Sequence, residues 1–303
     1  MVRIDYRAAE EDDGRPLRAV LRGSMGLSAS LVKAVKWLPG GILLDGQPAR
    51  LDAVVRRGQA VSVAAGVTGA SGVTGASGAA GGKAPDMPPV LYEDDCLLIV
   101  NKPAGMAVHP AAGHESGTLF DAAEGYLRQK GEVQSAFCPV SRLDRHTSGA
   151  LCAAKNRFAA QRLSAQMQRG EMQRVYRAVV CGDLPDSGTL DAPIARAQGV
   201  RRRVAEGGQR AVTHWRVLRR GQGRALLELR LETGRTHQIR VHMAHLGCPV
   251  YGDFLYGTED FSRPGFALHA RSLSLLHPLT GKPVTASAPV PIWFDELLDG
   301  EKE

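Results

Sequence analysis

The spacing of apolar positions switches between two periods along the chain, and the switches mark its elements. In PLRAVLRGSMGLSASLVKAVKWLPGG, residues 16–41, apolar side chains recur every three or four residues. This predicts two short amphipathic helices, the second capped by Ser28. In GILLDGQPARLDAVVRRGQAVSV the pattern becomes short β runs around turns at Asp45-Gly46 and Arg57-Gly58. A continuous apolar run from Cys96 to Val100 reads as a buried strand that stops at Asn101-Lys102-Pro103. A Pro and Gly turn then leads into a second β segment ending at His109-Pro110. Helical periodicity returns in LFDAAEGYLRQKG and NRFAAQRLSAQMQRGEM. From Arg174 onward the chain is largely β, in RVYRAVVCG, AVTHWRVLRR and RALLELRLET, with one short helix at QIRVHMAHLG. Strands and helices that neither alternate strictly nor segregate predict an α+β fold with a mixed sheet.

The segment from Ala64 to Gly82 breaks this pattern. It is uncharged, repeats GVTGAS, and carries Gly at every third position from Gly66 to Gly81. It has no proline and too few triplets for a collagen helix, and it is too Gly-rich for a membrane span. Gly82-Lys83 is followed by Ala84, so a phosphate-binding loop also fails. A flexible linker at 67–88 remains, between a small domain at 1–66 and a larger one at 89–299. The length of 303 residues accommodates both.

The net charge of +7 and the run RRR at 201–203 point to a polyanionic partner, nucleic acid before membrane. MVRIDYRAAEEDDGRP has no apolar stretch behind a basic start, so a cytoplasmic protein is expected. The five cysteines are scattered without a CxxC pair and read as reduced thiols, not as a disulfide frame or a zinc site.

Four places concentrate chemistry. In SRLDRHTSGA, residues 141–150, Asp144 stands between Arg142 and Arg145, ahead of a Thr-Ser-Gly turn. An anion in that setting can act as a nucleophile or a base and hardly as a proton donor; the plain alternative is a salt bridge pinning a turn. In LETGRTHQIRVHMAH, residues 231–245, a turn at Thr233-Gly234 lets Arg235 point a fixed cation at an anionic group. A metal site there is disfavoured, because His237 and His242 lie roughly 140° apart on a helix and the cluster encloses no carboxylate. Tyr176, inside an apolar strand, is either core or a flat surface for a stacked base. The polar connection ARAQGVRRRVAEGGQRAVTHW holds Arg201, Arg202 and Arg203, for which RNA phosphates are the natural counter-charge.

In their order these motifs resemble the RluA-type pseudouridine synthases, which isomerise uridine in ribosomal or transfer RNA. The resemblance covers residues 89–294 and rests on LYEDDCLLIVNKPAGMAVHP, SRLDRHTSGALCAAKN, RVYRAVVCG, LETGRTHQIRVHMAHLGCPVYGD and LHARSLSLLHPLTGKPVTASAPVP. It implies a pseudouridine synthase fold, with a mixed, largely antiparallel sheet, flanking helices and a central catalytic cleft. Asp144 would be the catalytic aspartate, Tyr176 the aromatic contact of the target base, and Arg235 the cation paired with the aspartate. Leu231 would pack near the base. Arg142, Arg145, Arg201, Arg202, Arg203, His237, Gln238 and Arg240 would contact substrate or RNA. The N-terminal pattern resembles the S4 RNA-binding module, with Lys33 and Lys36 on its second helix facing RNA. Many members of the family have His where this chain has Ser141, and Asp or Asn at His146; neither difference removes a catalytic group. The isomerisation adds and removes nothing overall, so no cofactor and no metal are implied. A monomer acting on RNA is expected. The alternative is a non-catalytic RNA-binding or ribosome-assembly protein that keeps the fold.

Overall fold

The alternating stretch RIDYR forms β1 (Arg3–Arg7), a strand additional to those read from the sequence. The computed structural model describes residues 2–65, 85–111, 115–132, 136–260, 262–263 and 265–299. Residues 67–84 of the expected linker lie outside these. After β1 come α1 (Leu17–Arg22), α2 (Ala29–Val35), β2 (Ile42–Leu44), β3 (Gln47–Pro48) and β4 (Ala60–Ala64). The strands form one sheet in the order β1-β4-β2-β3. Ser28 Oγ accepts the Leu31 N–H at 3.2 Å and starts α2 as the sequence indicates. Leu17, Leu21, Leu31 and Val35 fill a core with Val61 and Val63, burying the amphipathic faces that alone would leave such short helices unstable.

The larger part follows as β5 (Val90–Glu93), β6 (Leu97–Lys102), α3 (Leu119–Gln129), β7 (Cys138–Pro139), β8 (Ser148–Ala154), α4 (Arg157–Gln168) and β9 (Gln173–Cys181). It continues through β10 (Ser187–Asp191), β11 (Ile194–Arg196), β12 (Arg202–Val204), β13 (Val212–Gly221), β14 (Arg224–Leu231) and α5 (Gln238–His245). β15 (Leu268–Leu276), β16 (Pro283–Ser287) and α6 (Trp293–Asp299) complete it. One ten-stranded sheet runs β10-β13-β14-β9-β15-β8-β6-β5, with β16 beside β15 and β7 beside β8. β11 and β12 form a separate hairpin. Apart from the parallel pair β8 and β15, the sheet is antiparallel, and the α+β class holds. The N-terminal core rests on α4, where Phe158 joins it and Gln161 Oε1 accepts the Ser28 N–H at 2.9 Å. Among the described residues no helix is long and apolar enough to cross a membrane.

Two boundaries differ from the sequence reading. β6 does not stop at Val100, because Asn101 and Lys102 go on pairing with Ala150 and Gly149 of β8. The β segment expected before His109-Pro110 is instead a run of turns and irregular backbone. There the carbonyls of Pro103 and Met106 turn inward to the Lys102 ammonium, which leaves no extended ladder to form.

The parallel seam positions the chemistry. Gly149 of β8 pairs with Ala270 of β15, Ala270 with Tyr176 of β9, and Tyr176 with Leu229 of β14. One line across four strands thus brings the end of the Asp144 loop towards Tyr176. Gly149 makes the seam possible: its φ is 108°, and a Cβ there would lie 2.3 Å from the Ala270 carbonyl oxygen. Replacing Gly149 by Ala therefore forces β8 and β15 apart. The expected loss is at least about 2 kcal/mol of stability, seen as a lower thermal unfolding midpoint. An unchanged midpoint would refute this account of the seam.

Candidate active site

Asp144 lies in the loop between β7 and β8, in a tight turn closed by the Thr147 N–H donating to the Asp144 carbonyl at 3.1 Å. Its side chain is 25 % exposed, enough to be reached from solvent. The cation that meets it is Arg240, whose Nη1 donates to Asp144 Oδ2 at 3.1 Å. Arg240 belongs to α5 and is almost fully buried. Its Nε and Nη2 form a bidentate pair with the buried Asp253 at 2.7 and 2.8 Å. The guanidinium also lies 4.3 Å from the ring centre of Phe266. Burial opposes its charge, but Asp253 and then Asp144 overcome that cost and raise its pKa above the ordinary arginine value. His237 Nε2 stands 3.9 Å from the same Asp144 oxygen.

This arrangement corrects the sequence reading of the histidine and arginine cluster. Arg235 is not the partner of Asp144. It precedes α5 on an exposed turn, and its Nε donates to the Arg210 carbonyl at 3.0 Å. The helix begins only after His237, and its Arg240 turns inward while Arg235 stays outside. Gln238 is not an RNA contact either. It is buried, donates to the Val212 carbonyl and Thr213 Oγ1, and accepts from Thr233 Oγ1 and the Arg235 N–H. These bonds fasten the start of α5 to β13. Arg240 is likewise withdrawn from the surface, so its expected RNA contact becomes an ion pair with the candidate reactive acid.

The histidines separate as expected. His237 faces Asp144, whereas His242 is buried between Thr213 Oγ1 and the Ala192 carbonyl. Among the described residues, Asp94, Cys96 and His277 also come together, with potential ligand atoms within 4.8 Å of one another. The Asp94 carboxylate is already engaged there by Tyr92, His277 and the N–H groups of Cys96 and Leu97, as the closure of the β5 to β6 turn requires.

Tyr176 is 6 % exposed and packs with Leu143, Leu229, Phe266 and the half-buried Leu231. Burial raises its phenol pKa, Arg174 lowers it and the nearby Asp144 charge raises it again. Tyr176 and Asp144 therefore share one electrostatic environment. Arg142 and Arg145 are exposed, and Arg145 Nε donates to the Gly105 carbonyl at 2.9 Å. Arg201 and Arg203 are exposed on the β11 to β12 hairpin, with Arg202 half-buried between them. Lys33 and Lys36 are exposed on and just after α2, where the Lys36 ammonium covers the outward-facing Trp37 at 4.6 Å.

Two residues of this region escaped the sequence reading. Lys102 is fully buried, and its Nζ donates to the carbonyls of Pro103, Met106 and Arg145 at 2.8, 2.9 and 2.9 Å. Arg145 is the residue after Asp144, so this ammonium anchors the Asp144 loop to β6. Burial pushes its pKa down to about 7, with Asp144 pulling it back up. Three carbonyl acceptors match the three N–H bonds of the charged form, and on that geometry we take Lys102 as an ammonium at neutral pH. The available signal was a lysine in the register of the apolar Leu98 and Val100. Arg174 precedes Tyr176 by two positions and therefore shares its face of β9. Among the described residues its Nε is buried without a hydrogen-bond partner.

Residues 96–245 match the family model described as RNA pseudouridylate synthase. The chain is 41 % identical over 286 residues to the ribosomal large subunit pseudouridine synthase D of Xanthomonas campestris, covering 88 % of this chain and 83 % of that protein. It is 37 % identical over 308 residues to an RNA pseudouridine synthase of Bacillus subtilis, covering 99 % and 98 %. Among solved structures, the human RNA pseudouridylate synthase domain containing 1 has a TM-score of 0.53 at 26 % identity, covering 66 % of this chain and 82 % of that one.

Substituting Lys102 by Met keeps the volume and removes all three donors. Leaving those carbonyls without their buried donor is expected to cost on the order of 3 kcal/mol or more in a denaturant titration, with slower turnover. A variant as stable and as active as the parent would remove Lys102 from the loop's support.

Proposed function

The chain belongs to the RNA pseudouridine synthase family and isomerises uridine to pseudouridine in RNA, and on that premise we propose that Asp144 is the reactive group, with structured ribosomal RNA as substrate. The ion pair of Asp144 with the buried Arg240 carries this reading. A partly open carboxylate held against a cation that cannot leave is the arrangement a nucleophile or base needs. Arg240 and His237 both stand at Oδ2, which leaves Oδ1 for the ribose. The reaction breaks the N1 to C1′ bond, turns the base and joins C5 to C1′. The C5 proton is lost and N1 gains one, so atoms balance without a co-reactant. Attack on C1′ and removal of the C2′ proton to form a glycal both use the same carboxylate lone pair.

The detached uracil needs a surface to turn against and donors for its carbonyls. The Tyr176 ring, near enough to Asp144 to feel its charge, and the Arg174 guanidinium on the same face of β9 would supply them. Leu231 would close the apolar side. The target nucleotide must leave its stack to reach this depth, at a cost of a few kcal/mol, which favours loops and unpaired sites. Exposed Arg142, Arg145, Arg201 and Arg203 would hold the flanking phosphates, which supports RNA over a small nucleoside as substrate. Residues 1–66 would act as an S4-like RNA grip, with Lys33, Lys36 and Trp37 as its contact face, joined by the linker at 67–88 to the catalytic domain at 89–299. One chain carries every group named, so a monomer suffices. The ribosomal assignment draws on the Xanthomonas relative, whose name specifies the large ribosomal subunit.

Asp144→Asn keeps the size and removes the charge. Turnover is expected to fall at least about 10³-fold, roughly 4 kcal/mol in the barrier, with RNA affinity within a few-fold of the parent. Mapping pseudouridine in RNA from cells with and without the gene should show ribosomal sites that disappear. Retained turnover in the Asn variant would sink the assignment of Asp144. Exchanging Lys33 and Lys36 for Gln is expected to weaken RNA binding and reduce the salt slope of the affinity by about two, with turnover of bound RNA unchanged. An unaltered slope would remove the N-terminal domain from the interface.

A further inference from the structure

The left-handed backbone of His237 and the hydrogen bonds around its ring carry a further step. His237 has a φ of 60° at the start of α5, an uncommon conformation for a residue with a side chain. Its ring is held on both sides. Nε2 faces Asp144 Oδ2 at 3.9 Å, and Nδ1 lies 2.8 Å from the Tyr256 hydroxyl. The same hydroxyl accepts the backbone N–H of Arg202 at 2.8 Å. Arg202 belongs to β12, the strand of the arginine hairpin.

We propose that Tyr256 is a positioning residue: its phenol oxygen joins the arginine hairpin to His237, so that RNA held on the hairpin sets the place of the His237 ring beside Asp144. The proposal rests on Asp144 being the reactive group and on Arg201 and Arg203 holding RNA.

The chemistry of the phenol fits. A backbone N–H can only donate, so Tyr256 accepts from Arg202, and with His237 Nδ1 unprotonated the phenol proton completes the second bond. His237 then carries its proton on Nε2, pointed at the carboxylate. Asp144 favours the same tautomer from the other side. The groups facing His237 are Asp144, Arg240, Arg202, Asp253 and Tyr256. Burial leads in lowering its pKa below the ordinary histidine value; Arg240 and Arg202 add to this, while Asp144 and Asp253 oppose it. A neutral ring 3.9 Å from the carboxylate does not neutralise it, and Asp144 stays available.

Packing makes the link stiff. Tyr256 and Val204 pack against Ile194, Ala211 and Val241, so hairpin and helix share one small core. The edge of His237 meets the Tyr256 ring with centroids 5.7 Å apart, and Arg240 lies 5.1 Å from the same ring centre. The backbone amides of Leu255 and Tyr256 donate to Asp253, the carboxylate that orients Arg240. Displacing the hairpin therefore moves a phenol already tied to both neighbours of Asp144 Oδ2, the His237 ring and the Arg240 guanidinium.

The test is a double-mutant cycle on the full chain with uridine-containing ribosomal RNA as substrate. Tyr256→Phe is expected to lower kcat about tenfold with KM within about two-fold. Arg201→Gln with Arg203→Gln is expected to raise KM and also lower kcat in the parent, but to change only KM in the Tyr256→Phe background. Nitrogen NMR of the histidines should show His237 Nδ1 as a hydrogen-bond acceptor in the parent and without that bond in Tyr256→Phe. Parental kcat in Tyr256→Phe, or additive effects on kcat once KM has responded, overturns the coupling. An unchanged KM in the arginine variant overturns the hairpin grip and the coupling with it. Asp144→Asn run alongside separates these outcomes from a failure of the Asp144 assignment, because the NMR signature does not depend on turnover.

Discussion

A guanidinium buried among aromatic rings is tolerable only if its charge is answered, and Arg240 is answered twice. Asp253 takes two of its donors with ideal fork geometry, and Asp144 takes a third. The two acids differ because Asp253 is fully enclosed and satisfied by backbone amides as well, whereas Asp144 is open on one side. The inner acid fixes the cation, the cation fixes the outer acid, and only the outer acid can meet a substrate. Removing either inner partner would strand a charge in a low-dielectric interior, typically a loss of 3–5 kcal/mol, about as much as a domain can spare. The pair is therefore a structural requirement before it is a chemical one.

The remaining parts serve to bring the two sides of this ion pair together from distant stretches of chain. Asp144 arrives on a loop tied back by Lys102 and released into the parallel seam at Gly149. Arg240 arrives on a helix whose first turn is fastened to the sheet by Gln238. Tyr176 reaches the same place by strand register alone. Three different devices, a buried ammonium, a buried amide and a β ladder, converge on one place.

Much of this was legible beforehand because it depends on local signals. Periodicity located both N-terminal helices, the two longer helices and most strands, whereas the cations and turn residues around Asp144 left a reactive anion and a turn-pinning salt bridge both open, and only the family resemblance favoured the first. What escaped was three-dimensional pairing. Arg235 and Arg240 are the same residue type five positions apart, and only the actual start of α5 decides which one turns inward. Nothing in the spacing marks that start, because His237 reaches it through a left-handed conformation usually given to glycine or asparagine. Gln238 looked like a surface polar group for the same reason. Lys102 was read as a strand terminator, since a lysine beside proline ordinarily leaves the sheet. Its carbonyl cage includes Arg145, a partner that exists only after β6 and β8 have paired.

The place of β15 in the sheet bears on how the protein is made. β8 and β9 are consecutive strands of the large sheet, joined by α4, yet they do not pair with each other; β15, from much later in the chain, fills the slot between them. During synthesis the residues ahead of β15, nearly nine-tenths of the 303, therefore leave the ribosome with two unsatisfied central edges. Such edges invite association with other chains, and a late-arriving central strand makes closure slow. Until β15 is threaded in, the strand that follows Asp144 and the strand that carries Tyr176 share no register.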